Sequence, residues 1–135
     1  MKRPRNIAIL FIVLAIFFQS VVPLLASETR APTKVQVDAI VERIRQALRD
    51  PYSVRDASIS TVGHYDNGFG EAGDFVCVRL NAKNRYGAYV GLKTSLATFN
   101  PDGTLSKPVA FLSARALCSS VSFRPFKELD RLKAL

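Results

Sequence analysis

The residues best equipped for recognition chemistry lie within nine positions near the middle of the chain: Asn81, Lys83, Asn84, Arg85, Tyr86 and Tyr89. Side-chain amides, cations and phenol rings together suit contact with a sugar, a peptide or an acidic protein cleft, because they combine hydrogen-bond donors with stacking surfaces. The same residue types also build turns. Asn and Gly tolerate positive φ, and an Asn side chain can bond its own backbone. Two roles therefore compete for these positions: a contact patch, or a turn in which Asn81 and Asn84 hold the backbone while Tyr86 and Tyr89 pack on a sheet.

Other chemistry is sparse. Gly63 to Asp74 contains four glycines with His64, Asp66, Glu71 and Asp74, and reads as a loop by composition. Its acidic spacing does not fit a twelve-residue calcium loop. His64 is the only histidine and has no second His or Cys nearby for zinc, so no metal site is expected. The chain has no Gly-x-Ser-x-Gly elbow and no phosphate-binding glycine loop. A lone His lacks a matched nucleophile, and carboxylates in a glycine-rich loop are poorly held for glycoside hydrolysis. The expectation is a non-enzyme without a cofactor.

Among the elements that would position these groups, Thr33-Lys-Val-Gln36 fits a capping box that opens a helix. Val37, Ile40, Val41, Ile44 and Leu48 then form one apolar stripe, and Asp50-Pro51 stops the helix. Ala57 to Val62 and Phe75 to Leu80 alternate as strands, the latter sending Phe75, Cys77 and Arg79 one way and Val76, Val78 and Leu80 the other. Asn81 to Gly87 connects it to a longer strand region, Ala88 to Phe99, with Gly91 at a bulge or close-packing point. Asn100-Pro-Asp-Gly103 is a turn, Lys107 to Ser113 reads as a further strand near an edge, and Pro125 can open a short C-terminal helix. The expected fold is α+β: an amphipathic helix packed on an antiparallel sheet of about four strands, with a short C-terminal helix.

Address and charge narrow the setting. Lys2, Arg3 and Arg5 precede an apolar run from Ile7 to Phe18, and residues 1–26 read as an export signal cut after Ala26. Uncut, Ile7 to Ala26 would be long enough to anchor the chain in a membrane. Residues 27–135 form a single domain, with sixteen Lys and Arg against eleven acidic residues, a charge of +5. Such a charge suits anionic envelope material over nucleic acid, or serves solubility alone. Cys77 and Cys118 are the only cysteines, an even pair that favours a disulfide in an oxidising compartment, with two separate buried thiols as the alternative. There is no Cys-x-x-Cys motif, which argues against redox catalysis.

Arg49-Asp-Pro-Tyr-Ser-Val54 and Phe75-Val-Cys-Val-Arg-Leu-Asn-Ala-Lys-Asn-Arg-Tyr-Gly-Ala-Tyr-Val-Gly91 resemble two motifs of a group of small exported proteobacterial proteins of unknown function. Asp50, Pro51 and Ser53 match the first motif, and Cys77, Asn81, Ala82, Lys83, Asn84, Gly87, Tyr89 and Gly91 the second. Val78 and Ala88 depart from it, standing where the group tends to have Gly. The resemblance covers roughly residues 37–99 and implies an exported α+β domain with no assigned activity. Together these features suggest a periplasmic or secreted binding or accessory module whose partner is an envelope protein or acidic glycan. The alternatives are an inner-membrane-anchored subunit of an envelope assembly, facing the periplasm, or an inhibitor of an envelope-targeting hydrolase. Membrane contact is expected only if the N-terminal segment stays uncut.

Overall fold

The computed structural model describes residues 30–106 and 114–134. The proposed export segment, residues 1–26, and the strand expected from Lys107 to Ser113 lie outside the described residues.

Helix α1 spans Lys34–Ala47 and begins in the way its sequence dictates: Gln36 N–H donates to Thr33 Oγ1, and Thr33 N–H donates to Gln36 Oε1 at 3.0 Å. A 3-10 turn, Pro51–Ser53, follows, capped by the Asp50 carboxylate, which accepts from Ser53 N–H at 3.2 Å. Among the described residues five strands form, against an expected sheet of about four: β1 Arg55–Ser60, β2 Gly63–Asp66, β3 Ala72–Asn81, β4 Lys93–Phe99 and β5 Phe123–Pro125. Helix α2 is the single turn Ala114–Leu117, and the expected C-terminal helix is a 3-10 segment, Lys127–Ala134.

All pairings are antiparallel. β1 and β2 lie end to end along one edge of β3, with Ile59 opposite Val78 and His64 opposite Asp74. β4 runs along the other edge, and β5 flanks β1. Gly63 to Asp74, expected to be a loop, is thus mostly a hairpin. Strand pairing outweighed the poor strand propensity of its glycines because Gly63 leaves room for the Phe75 ring, which a Cβ there would overlap.

The pleat of β3 sends alternate residues into two cores. Val76 and Val78 join Ile40, Val41, Ile44 and Phe126 on one face, while Phe75 and Cys77 join Tyr65 and Cys118 on the other. Each well-buried apolar side chain contributes roughly 1.5–3 kcal/mol. The second, smaller core is closed by the Cys77–Cys118 disulfide, with Cα atoms 5.7 Å apart, which ties the middle of β3 to the end of α2. Such a bridge fits an oxidising, non-cytoplasmic compartment. Among the described residues no helix is long and apolar enough to cross a membrane.

Candidate functional site

At the carboxyl end of β3 the chain leaves the sheet as an arm, residues 82–92, and returns in β4. The expected strand start at Ala88 is therefore corrected to Lys93. The arm's shape is built from its own polar side chains. Asn81 is buried; its Oδ1 accepts from Gly91 N–H at 3.1 Å, closing the base of the arm, and its Nδ2 faces Asp56 Oδ2 at 3.4 Å. Asn84 N–H donates to the Ala88 carbonyl at 2.8 Å, and Asn84 Oδ1 accepts from the amides of Tyr86 and Ala88 at 2.9 and 3.1 Å. Gly87 and Gly91 have φ of +81° and +84°, the left-handed region that glycine enters without a Cβ penalty. Gly91 is therefore a turning point within the arm.

Tyr89 clamps the arm to the body. Its hydroxyl donates to the Ser53 carbonyl at 2.8 Å, and the Arg55 guanidinium lies 3.7 Å from the ring centroid. Lys83 pairs with Tyr89 across the arm, its Nζ 5.6 Å from the same ring. Two cations on one ring each gain on the order of 0.5–1 kcal/mol at such half-exposed positions. Three of the six sequence candidates, Asn81, Asn84 and Tyr89, thus have structural tasks. Arg85 and Tyr86 do not: Tyr86 is 76% exposed, with the Arg85 guanidinium 4.7 Å from its ring. Val90 and Leu92 are exposed on the same arm. The surface at this end offers cations from Lys83, Arg85 and Arg55 around exposed apolar and aromatic groups, a composition chemically able to stack on and neutralise an acidic group.

Asp56 is a residue of this region that the sequence did not single out. It takes φ of +53° at an irregularity where β1 shifts register against β3, and its carboxylate faces both Arg55 and Asn81. A non-glycine residue in that region is uncommon, and Asp is among the few types whose short polar side chain eases it. Arg55 and Asp56 also line a cavity of about 260 Å³ together with Lys127, Asp130 and Lys133.

A second polar cluster forms at the other end of β3. Cross-strand pairing sets His64 Nδ1 3.2 Å from Asp74 Oδ1, and Arg30 donates to Asp74 Oδ2 at 2.5 Å. A carboxylate that orients an imidazole supplies two of the three members of a catalytic triad. Among the described residues no hydroxyl or thiol is hydrogen-bonded to His64, and no group of three or more His, Cys, Asp or Glu side chains is arranged to hold a metal. Asp66 and Glu71 are engaged by the β2–β3 turn itself.

The fold and the arm together define a small disulfide-linked α+β domain with a basic, aromatic projection. In comparisons with known proteins, no family model matches the chain, nor does any curated protein or solved structure.

Proposed function

We propose that the protein is a binding module of an exported compartment, and that Arg85 and Tyr86 at the tip of the arm are its contact residues for an acidic glycan or an acidic protein cleft. One observation carries this reading: the arm's own hydrogen bonds consume Asn81, Asn84 and Tyr89 and leave the tip's cation and ring held in place but unspent. A rigid turn loses little conformational entropy on binding, so its contacts convert more fully into affinity. The resemblance drawn from the sequence fits this division, because the matched positions are the framework while Arg85 and Tyr86 fall at its open ones. The disulfide supports the oxidising setting, and export from residues 1–26 belongs to the same proposal.

The test is calorimetric titration with a polyuronate, comparing wild type, Arg85→Ala with Tyr86→Ala, and Asn84→Ala. Lost affinity at an unchanged melting temperature in the double variant supports the proposal. Wild-type protein that does not bind, or a double variant that binds equally well, overturns this glycan-binding site.

A further inference from the structure

The turn between β2 and β3 repeats the arm's geometry with the opposite charge. Asn67 N–H donates to the Glu71 carbonyl at 3.0 Å, and Asn67 Oδ1 accepts from the amides of Phe69 and Glu71 at 2.9 and 3.1 Å. Asp66 Oδ1 accepts from Gly68 N–H at 2.7 Å, and Asn67 Nδ2 donates to Glu71 Oε2 at 2.8 Å. On this well-bonded turn Phe69 is 93% exposed. It adds nothing to either core, yet the turn around it is ordered, which is the arrangement of a side chain built to enter another surface. Asp66 and Glu71 flank it, so the receiving pocket must be apolar with a cationic rim. Anionic lipid would repel those carboxylates.

A pocket of that chemistry lies on the same chain. Between α1 and the β3–β4 pair is a cavity of about 230 Å³, lined by Ile44, Leu48, Leu80, Leu96 and Ala97, with Arg43 in its wall. Lys93 sits across from Leu80. The volume exceeds the roughly 150 Å³ that holds one benzene ring in a dry apolar cavity. The turn cannot reach its own pocket. It lies beyond Ala72, whereas the pocket adjoins Val78 and Leu80, some 20–26 Å along the strand at the usual rise per residue.

We propose that the Phe69 turn of one copy docks in the α1–β4 pocket of another, with Asp66 and Glu71 facing Arg43 and Lys93. The contact joins two different surfaces, so it either closes reciprocally in a pair or propagates head to tail. It does not depend on the arm, since neither Arg85 nor Tyr86 lines the pocket.

Sedimentation velocity across a concentration series tests it. Wild type is expected to pass from monomer to a larger species as concentration rises, with association weakened by added salt because the charge pairs are exposed. Phe69→Ala should weaken association at least about tenfold, the effect of removing an aromatic anchor. Arg43→Glu should weaken it further at low salt than at high salt. Phe69 and Arg43 are exposed, so both variants should keep the wild-type melting temperature, and that is measured alongside. Wild type that stays monomeric throughout overturns the proposal. So does association that survives Phe69→Ala, or that is lost in Phe69→Ala but unchanged in Arg43→Glu.

Discussion

The two ends of β3 carry the same turn built twice. In each, an Asn bonds through its backbone N–H to the carbonyl four residues on, its side-chain oxygen accepts two further amides, and an aromatic residue two positions later faces solvent. Asn67, Phe69 and Glu71 occupy these places at one end, and Asn84, Tyr86 and Ala88 at the other. Asn100 to Thr104 repeats the backbone bond after β4, without an aromatic. The ends differ in charge and in support. The Phe69 turn closes directly on the β2–β3 ladder and is flanked by Asp66 and Glu71. The Tyr86 turn stands on an arm outside the strands, is flanked by Lys83 and Arg85, and needs Asn81 and Tyr89 to hold it. A local turn can therefore be written in five residues, but projecting it away from a sheet requires anchors from distant segments.

If β3 is the spine common to both ends, loosening its middle should affect them alike. Replacing Cys77 and Cys118 together with Ser should cost about 3–4 kcal/mol, since the bridge closes a loop of about 40 residues. Hydrogen exchange should then rise at both turns. A rise at only one would show that the ends are independent. Gly63→Ala drives a methyl group into the Phe75 ring and should cost roughly 1–3 kcal/mol in denaturant unfolding. Here the Phe69 end should fray first, because β2 is the strand displaced.

Smaller changes probe the turns themselves. Asn67→Ala and Asn84→Ala should each lower stability by about 1 kcal/mol, by releasing two amides to water. A difference of more than about 0.5 kcal/mol between them would break the likeness of the two frames. Phe69→Ala and Tyr86→Ala should each stay within about 0.5 kcal/mol of wild type, as substitutions of exposed side chains usually do.

Acid should act elsewhere, on α1. Hydrogen bonds from Lys34 and then Arg131 hold the Asp38 carboxyl below its usual range, and hydrogen bonds from Arg45 and Gln46 lower that of Glu42 from 4.5 to about 2. Both carboxyls bind protons more weakly folded than unfolded. Their contribution is thus fully present above about pH 4.5 and is lost as pH falls toward 2. Arg131 reaches Asp38 from the C-terminal 3-10 segment, so acid unfolding monitored there should lead any change at either turn. A denaturant midpoint that stays flat from pH 5 to 2.5 would contradict this.

Much of the fold could be read from short-range pattern. The Thr33–Gln36 capping box and the stripe from Val37 to Ile44 need only helical periodicity, and the alternation of Phe75 to Leu80 needs only the period of a strand. With only two cysteines, Cys77 and Cys118 could pair only with each other, but it took the structure to show them bonded rather than buried apart. The candidate patch was legible as a cluster, but not in its parts. Nothing local separates Asn84, which is used up in holding a turn, from Arg85, which lies over the exposed Tyr86 ring at the tip. The β2–β3 hairpin was hidden because Gly63 and Gly73 lower strand propensity, and their value lies in the space they leave beside Phe75 and Tyr65. The three-residue β5 carries too few positions for any period to show.

By itself, then, the sequence determined the helix and its cap, the two faces of β3, Cys77 and Cys118 as the one possible disulfide pair and the clustering of recognition groups near Tyr86, because each depends on residues close along the chain or on simple arithmetic; that the two cysteines are bonded was left to the tertiary structure. Only the tertiary structure decided that Tyr89 bonds Ser53, that Asp56 turns left-handed beside Asn81, that His64 meets Asp74, and that an exposed Phe69 and an apolar pocket lie at opposite ends of one strand. Those facts depend on strand register and on the packing of segments tens of residues apart. A shift of one residue in register exchanges every inward side chain for an outward one, and local propensity does not set that choice.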